Sequence, residues 1–309
     1  MSAPPKILIS AVPFAESNPS PLSLLQAAGL EVCRHPFARK PQPEELLKLL
    51  QNISGLIAGT ESVPGGVLLA QPQLRVISRI GTGLDNIDLD ICQKLGITVL
   101  NTPDAATETV AEYTLGLIIA LCRGLVSSHE ALRAGQWQRC FGRELQDTRL
   151  GLLGFGRIGQ AVARRAKAFG MLTSAHDPDL PAHVFAAAGV RPVNFDELLR
   201  SSDVLSLHLP LHAQTRHIIG QRALAQLPWG SYLINTSRGG LLDESALCQA
   251  LSNGQLAGAA LDVFEQEPYT GPLRKFPNLI LSPHQAANSE AARHRMERQA
   301  SENLIRYFS

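Results

Sequence analysis

The sequence predicts an α/β protein built from two doubly wound parallel sheets, and three observations carry that expectation. Short apolar runs alternate with amphipathic stretches almost from end to end, the pattern of strands joined by crossover helices. One run, Leu150-Gly151-Leu152-Leu153, opens directly into a Gly-x-Gly-x-x-Gly turn and a helical stretch. A complete α/β region already precedes that turn, so it has a sheet of its own. The length, 309 residues, suits about two domains.

The elements follow in order. A strand is expected at 6–10, then a helix at 21–29 with Gly29 as its stop. Next come a strand at 31–35, a helix at 43–51, a strand at 55–58 and a helix at 65–70. A strand at 75–78 runs into Arg79-Ile80-Gly81-Thr82-Gly83, a helix spans 89–95 and ends at Gly96, and a strand at 97–100 closes on Asn101-Thr102-Pro103. Residues 110–134 read as one long helix, apolar over much of its surface through Leu115, Leu117, Ile118, Ile119, Leu121 and Leu125. A helix apolar nearly all round is buried, in a domain junction or a subunit interface. The glycine unit gives a strand at 150–153, a helix to Gly170 and a strand at 171–175 ending in His176-Asp177. Strands at 204–207, 231–234, 257–263 and 279–281 follow, with helices at 222–227 and 244–251 between them, and a helix at 289–307 ends the chain. Trp137 and Trp229 have no motif around them and are expected in the core. The order implies a discontinuous first domain (1–100 and 284–309) interrupted by a continuous second one (101–283).

Composition bounds the function. Lys+Arg 28 against Asp+Glu 27 gives a net charge of +1, which offers no electrostatic footing for nucleic acid or an anionic membrane. The longest apolar run, 115–122, is far short of the ~20 residues that span a bilayer. The five cysteines have no paired spacing and read as free thiols of a reducing compartment. No leader precedes the first strand, so a cytoplasmic location is expected. No metal site is expected.

The glycine motif points to a ligand. Gly154 allows the tight turn, Gly156 lets a pyrophosphate approach the backbone, and Gly159 lets helix pack on strand. The helix start, at Arg157 and Ile158, presents free N–H groups and a positive dipole end to phosphates. Asp177, about 20 residues on, is placed to bond the ribose hydroxyls of an adenosine. The acid favours NAD, because it repels the extra phosphate of NADP. The second domain is therefore expected to be a Rossmann NAD-binding domain.

Three more residues follow apolar strands, where open α/β sheets bind ligands. They are Arg238 in Asn235-Thr236-Ser237-Arg238-Gly239, Glu267 in Asp262-Val263-Phe264-Glu265-Gln266-Glu267-Pro268, and His284 in Ser282-Pro283-His284-Gln285. Moving a hydride between NAD and a carbonyl needs a cation to hold the substrate, an acid/base for the proton, and a group that tunes it. An arginine, a histidine and a glutamate answer those three needs.

Several motifs in one order, from Gly81-Thr82-Gly83-Leu84-Asp85-Asn86-Ile87-Asp88 through the glycine turn to His284, make the sequence resemble the D-isomer-specific 2-hydroxyacid dehydrogenases. It is most similar to their 3-phosphoglycerate dehydrogenase branch, in a short form without the C-terminal domain that binds serine in longer members. The resemblance implies a flavodoxin-like substrate domain around the Rossmann domain, and a homodimer paired through the 110–134 region. It implies His284 as proton donor and acceptor, Glu267 as the partner of its other ring nitrogen, and Arg238 on the substrate carboxylate and carbonyl. It also implies cofactor contacts at Thr82, at the backbone of Thr236 and Ser237, at Arg238 and His284, at Asp262 with the nicotinamide amide, and at His208, Leu209 and Pro210 on the adenine or ribose side. Arg79, Ile80 and Gly81 fall on the substrate side. A cationic pair carried by phosphoglycerate dehydrogenases after the third strand is replaced by Gly59-Thr60-Glu61-Ser62. A phosphate dianion wants several cations or free N–H groups, so reduction of hydroxypyruvate or glyoxylate stands as the alternative. A remoter alternative is an NAD-binding corepressor without turnover.

Overall fold

In the computed structural model, which describes residues 4–309, the chain divides into two units. One runs to Ala106 and resumes at Asn288–Ser309, and the other is Thr107–Ala287. The breaks fall a few residues beyond the expected 100/101 and 283/284.

The first unit contains β1 (Lys6–Ile9), α1 (Ser20–Ala27), β2 (Glu31–Arg34), α2 (Pro43–Leu49), β3 (Gly55–Ala58), α3 (Gly65–Leu69), β4 (Val76–Arg79), α4 (Leu89–Leu95) and β5 (Thr98–Leu100). Its strands pair in parallel in the order β2-β1-β3-β4-β5, the flavodoxin-like order, and the winding reverses between β1 and β3. Every residue of β3 and β4 is buried, as strands covered on both faces must be. Leu8, Leu46, Leu56, Leu68 and Ile77 form much of one core layer.

The second unit contains α5 (Thr107–Cys122), α6 (Leu125–Arg133), β6 (Arg149–Leu153), α7 (Arg157–Ala168), β7 (Leu172–His176), α8 (Ala182–Ala188), β8 (Arg191–Pro192), α9 (Phe195–Ser201), β9 (Val204–Leu207), α10 (Gln221–Gln226), β10 (Ser231–Asn235), α11 (Glu244–Ser252), β11 (Leu256–Leu261) and β12 (Leu279–Leu281). The final helix, α12 (Glu290–Phe308), belongs to the first unit, where it packs on α1 and β4. The second sheet is parallel throughout, in the order β12-β11-β10-β9-β6-β7-β8. This is the doubly wound order, with its reversal between β6 and β9. Two cores flank the sheet, one around Leu205, Leu233 and Leu247, the other around Ile118, Leu152 and Val162.

Three sequence expectations need correction. The single helix at 110–134 is two helices, α5 and α6, bent by 62° at Gly124, whose φ of +58° is left-handed. Glycine takes that conformation freely and ends α5. The apolar surface changes with it: Ala111, Leu115 and Ile118 of α5 are core, whereas no residue of α6 is buried. Trp137 and Trp229 are both exposed. The third correction is an omission, since α8, β8 and α9 fill a stretch for which no element was expected. There β8 is two exposed residues at the sheet edge, and α8 buries only Phe185. Among the described residues no single helix is long and apolar enough to cross a membrane.

Ile118→Ala tests whether α5 is a core helix of its own unit. Its side chain is fully buried, so truncation is expected to lower the unfolding free energy by about 2–5 kcal/mol in a denaturant titration. A loss below about 1 kcal/mol would show that this face is not packed core.

Candidate active site

At the β6–α7 turn, each glycine has its own reason. Gly154 has φ +94°, and a Cβ there would lie 2.6 Å from the His208 carbonyl carbon, so the turns after β6 and β9 touch backbone to backbone. A Cβ on Gly159 would lie 2.5 Å from the Gly154 carbonyl oxygen, which forces glycine where α7 crosses its own strand. Gly156 differs. Its φ of −68° is open to any residue, and a Cβ would meet no protein atom within 4 Å. Glycine here leaves open space at the start of α7. The N–H groups of a first helical turn have no partner within the helix, and this turn carries no acidic side chain. That cradle fits a pyrophosphate. Asp177 is tied into the same turn: Oδ2 accepts from Phe155 N–H at 2.8 Å and Oδ1 from Asp179 N–H at 3.2 Å. Gly156, Arg157 and Ile158 are the residues that would meet the phosphates of a dinucleotide here, and Asp177 stands at the end of β7, beside the same turn.

The acid/base candidates sit beyond three adjacent strands. Arg238 follows β10, Glu267 follows β11 and His284 follows β12. Glu267 Oε2 lies 2.8 Å from His284 Nδ1, and Oε1 accepts from Phe264 N–H at 3.2 Å. An ionised carboxylate only accepts, which assigns a proton to Nδ1 and leaves Nε2 as the atom for exchange. The side chains of His284 and Glu267 are 35% and 30% exposed, so a small molecule can reach the ring. His284 itself has a left-handed backbone, φ +52°, which is uncommon for a residue with a side chain.

Asp262 explains how that conformation is held. It is fully buried at the end of β11. Its Oδ1 accepts from Ser282 Oγ at 2.6 Å and Gln285 N–H at 2.9 Å, its Oδ2 from Ala286 N–H at 2.8 Å, and its carbonyl from His284 N–H at 2.8 Å. The carboxylate therefore serves the His284 loop. The missed signal is Ser282, a hydroxyl spaced to bond an acid at the neighbouring strand end.

The remaining expected residues are placed as follows. Arg238 is half-buried, with Nη1 donating to the Ser237 carbonyl at 2.7 Å. Ser237 gives its N–H to Asn235 Oδ1, and the Thr236 hydroxyl bonds the Thr114 hydroxyl on α5. His208 lies 2.9 Å through Nε2 from Ser206 Oγ, and burial pushes its pKa down to about 4, so the ring is neutral. Leu209 is half-buried and Pro210 exposed beside it. In the first unit Thr82 is exposed, with its hydroxyl on the Pro103 carbonyl. Arg79 is buried rather than a surface arginine, and its Nη1 donates to the Ile80 carbonyl at 2.6 Å. The Ile80 side chain is core. Gly81 has φ +117°, a conformation that side-chain-bearing residues rarely adopt, and the Arg79 guanidinium lies over it.

Glu61 is also buried. It spans the ends of β1 and β3, accepting from Gly59 N–H through both oxygens, at 2.9 and 3.0 Å, and from the Ser10 hydroxyl.

Comparison with known proteins agrees with this geometry. Residues 115–286 match the family described as D-isomer specific 2-hydroxyacid dehydrogenase, NAD binding domain. A D-3-phosphoglycerate dehydrogenase of Methanocaldococcus jannaschii is 43% identical over 255 residues, 81% of this chain and 48% of that one, so the chain spans about half the length of that relative. A glyoxylate reductase of Aeropyrum pernix is 40% identical over 259 residues, 80% of this chain and 77% of that one. The crystal structure of a glyoxylate reductase from Paecilomyes thermophila superposes with a TM-score of 0.89 at 33% identity, covering 98% of this chain and 95% of the other. The two parallel-sheet units, the glycine turn and these matches together place the chain in the D-isomer specific 2-hydroxyacid dehydrogenase family.

Proposed function

We propose that this protein interconverts a short 2-keto acid and its D-2-hydroxy acid with NAD(H), using His284 as proton donor and acceptor. The observation that carries the reading is the 2.8 Å pairing of Glu267 with His284 Nδ1 on a partly exposed ring, which leaves Nε2 as the nitrogen for proton exchange. The bound nicotinamide supplies or takes the hydride. His284 Nε2 gives the proton to the developing alkoxide in reduction and removes it in oxidation. Glu267 offsets the positive charge of the ring and fixes its orientation. Arg238 holds the substrate carboxylate and carbonyl, where a planar fork suits two-point binding.

Within that activity, Glu61 favours an unphosphorylated substrate, such as hydroxypyruvate or glyoxylate, over a phosphoglycerate-type one. The reversal between β1 and β3 is where a sheet of this order binds its ligand. Here a built-in carboxylate already takes the Gly59 N–H and the Ser10 hydroxyl. A substrate phosphate placed there would meet like charge in place of donors. With NADH and a panel of glyoxylate, pyruvate, hydroxypyruvate and 3-phosphohydroxypyruvate, absorbance loss is expected with an unphosphorylated member. Its kcat/KM should exceed that of the phosphorylated one by at least about tenfold, because like-charge juxtaposition costs several kcal/mol. No loss with any member contradicts the enzyme reading and returns weight to a binding protein. Preference for the phosphorylated member contradicts the role given to Glu61.

Asp177 supports NAD(H) over NADP(H), since Pro178 and Asp179, and no arginine, follow it. Equal kcat/KM with the two cofactors would contradict this.

A homodimer is supported by the apolar side chains that α6 and the segment after it expose: Leu125, Leu132, Trp137 and Phe141, the last two 82% and 102% exposed. Static light scattering should give twice the 33.3 kDa chain mass, and Trp137→Ser together with Phe141→Ser should shift it toward one. A wild-type protein that is monomeric at micromolar concentration contradicts the proposal. All five cysteines are free thiols, which supports the cytoplasm as its location.

A further inference from the structure

Glu265 and Glu267 stand two residues apart on one short segment, and each meets a histidine. Glu267 reaches His284. Glu265 Oε2 lies 3.1 Å from His217 Nε2 and 3.6 Å from Arg216 Nη2. We propose that Glu265 and His217 are positioning residues for the Glu267–His284 pair, holding the segment from which Glu267 reaches the ring. The proposal rests on the reading of His284 as proton donor and acceptor.

Three sets of contacts carry it. First, the 264–267 segment is tethered from several sides, and Glu265 provides two of the tethers. Its N–H donates to Glu244 Oε1 at 2.9 Å, and its carboxylate meets His217 and Arg216. Phe264 N–H then donates to Glu267 Oε1, so the catalytic carboxylate takes its place from the same stretch of backbone.

Second, His217 is anchored independently. Its N–H donates to the Gly240 carbonyl at 2.8 Å, Ile219 N–H to the Leu241 carbonyl at 3.0 Å, and Asp243 N–H to the Ile219 carbonyl at 3.0 Å. The segment around His217 is thus zipped to the one that follows Arg238. The backbone of His217 is left-handed, φ +51°, a conformation that costs a side-chain-bearing residue free energy and persists where surroundings fix it.

Third, the Arg238 segment and the Glu265 segment touch at backbone level. A Cβ on Gly239 would lie 1.9 Å from the Phe264 carbonyl carbon and 2.4 Å from Glu265 N. The turn bearing Arg238, the turn bearing Glu267 and the loop after β9 therefore meet at one point, and the Glu265–His217 contact joins the last two. An exposed ion pair of this kind adds little to global stability. Its effect is on where Glu267 sits, and a displacement near 1 Å at a catalytic group can cost on the order of 10²-fold in rate.

The test uses the full chain with Glu265→Gln, His217→Asn, Glu267→Gln and the double variant Glu265→Gln/Glu267→Gln. Asparagine tolerates a left-handed backbone, so His217→Asn removes the ring without adding strain and serves if Glu265→Gln fails to fold. Amide hydrogen exchange over residues 262–268 is expected to accelerate in Glu265→Gln and His217→Asn and to stay unchanged elsewhere. With the best keto acid, Glu265→Gln should lower kcat by about tenfold or more while leaving KM within about twofold. In the Glu267→Gln background the same change should cost less than about twofold, because the residue acts through Glu267. Unaltered exchange, a loss confined to KM, or an equal loss in both backgrounds overturns the proposal. If the wild-type chain reduces no keto acid, the functional reading fails instead, and the exchange measurement still decides whether Glu265 holds the segment.

Discussion

A buried carboxylate organises the candidate active site. Asp262 follows the mostly buried strand β11, and its carboxylate accepts from backbone and hydroxyl donors of the Ser282–Ala286 turn. Burying a carboxylate is costly unless it is hydrogen-bonded, so the turn and the acid fix one another. The result is a histidine with an unusual backbone, φ +52°, whose Nδ1 meets Glu267. The same unit carries the dinucleotide turn, where three glycines are required for three different reasons. Two are needed by protein atoms and one by the space left for a ligand.

Much of this was legible in the sequence. Alternation of apolar runs gave the two parallel sheets because strands buried on both faces read as near-continuous apolar stretches. The glycine turn was legible because its geometry forbids other residues at Gly154 and Gly159. The pairing of Glu267 with His284 came from resemblance and not from spacing, since the two residues lie on different strand ends and only the sheet order brings them together.

What the sequence hid has physical causes. The break at Gly124 was missed because apolar residues continue past it to Leu125 and Val126. Those side chains are exposed, and a periodicity pattern does not separate a buried apolar face from one left open. The two-residue strand β8 is too short and too exposed to leave a pattern. Asp262 was read as a ligand contact because a strand-end acid is equally suited to a ligand or to a loop. Its role in the loop shows only in the positions of Gln285 and Ala286 N–H. Arg79 was legible as a cation but not as a buried one, because the fold of its guanidinium over Gly81 depends on the tertiary structure.

The account turns on His284 as the proton-transferring group, presented by Asp262 and Glu267 and not required for holding the cofactor. The direct measurement is steady-state turnover of His284→Ala beside its NADH affinity by fluorescence titration. The account predicts a kcat lower by ~10²–10⁴-fold, the usual contribution of a positioned acid/base, with NADH affinity within a few-fold of wild type. A variant that keeps kcat within about tenfold of wild type, or that loses turnover only because NADH no longer binds, would contradict it.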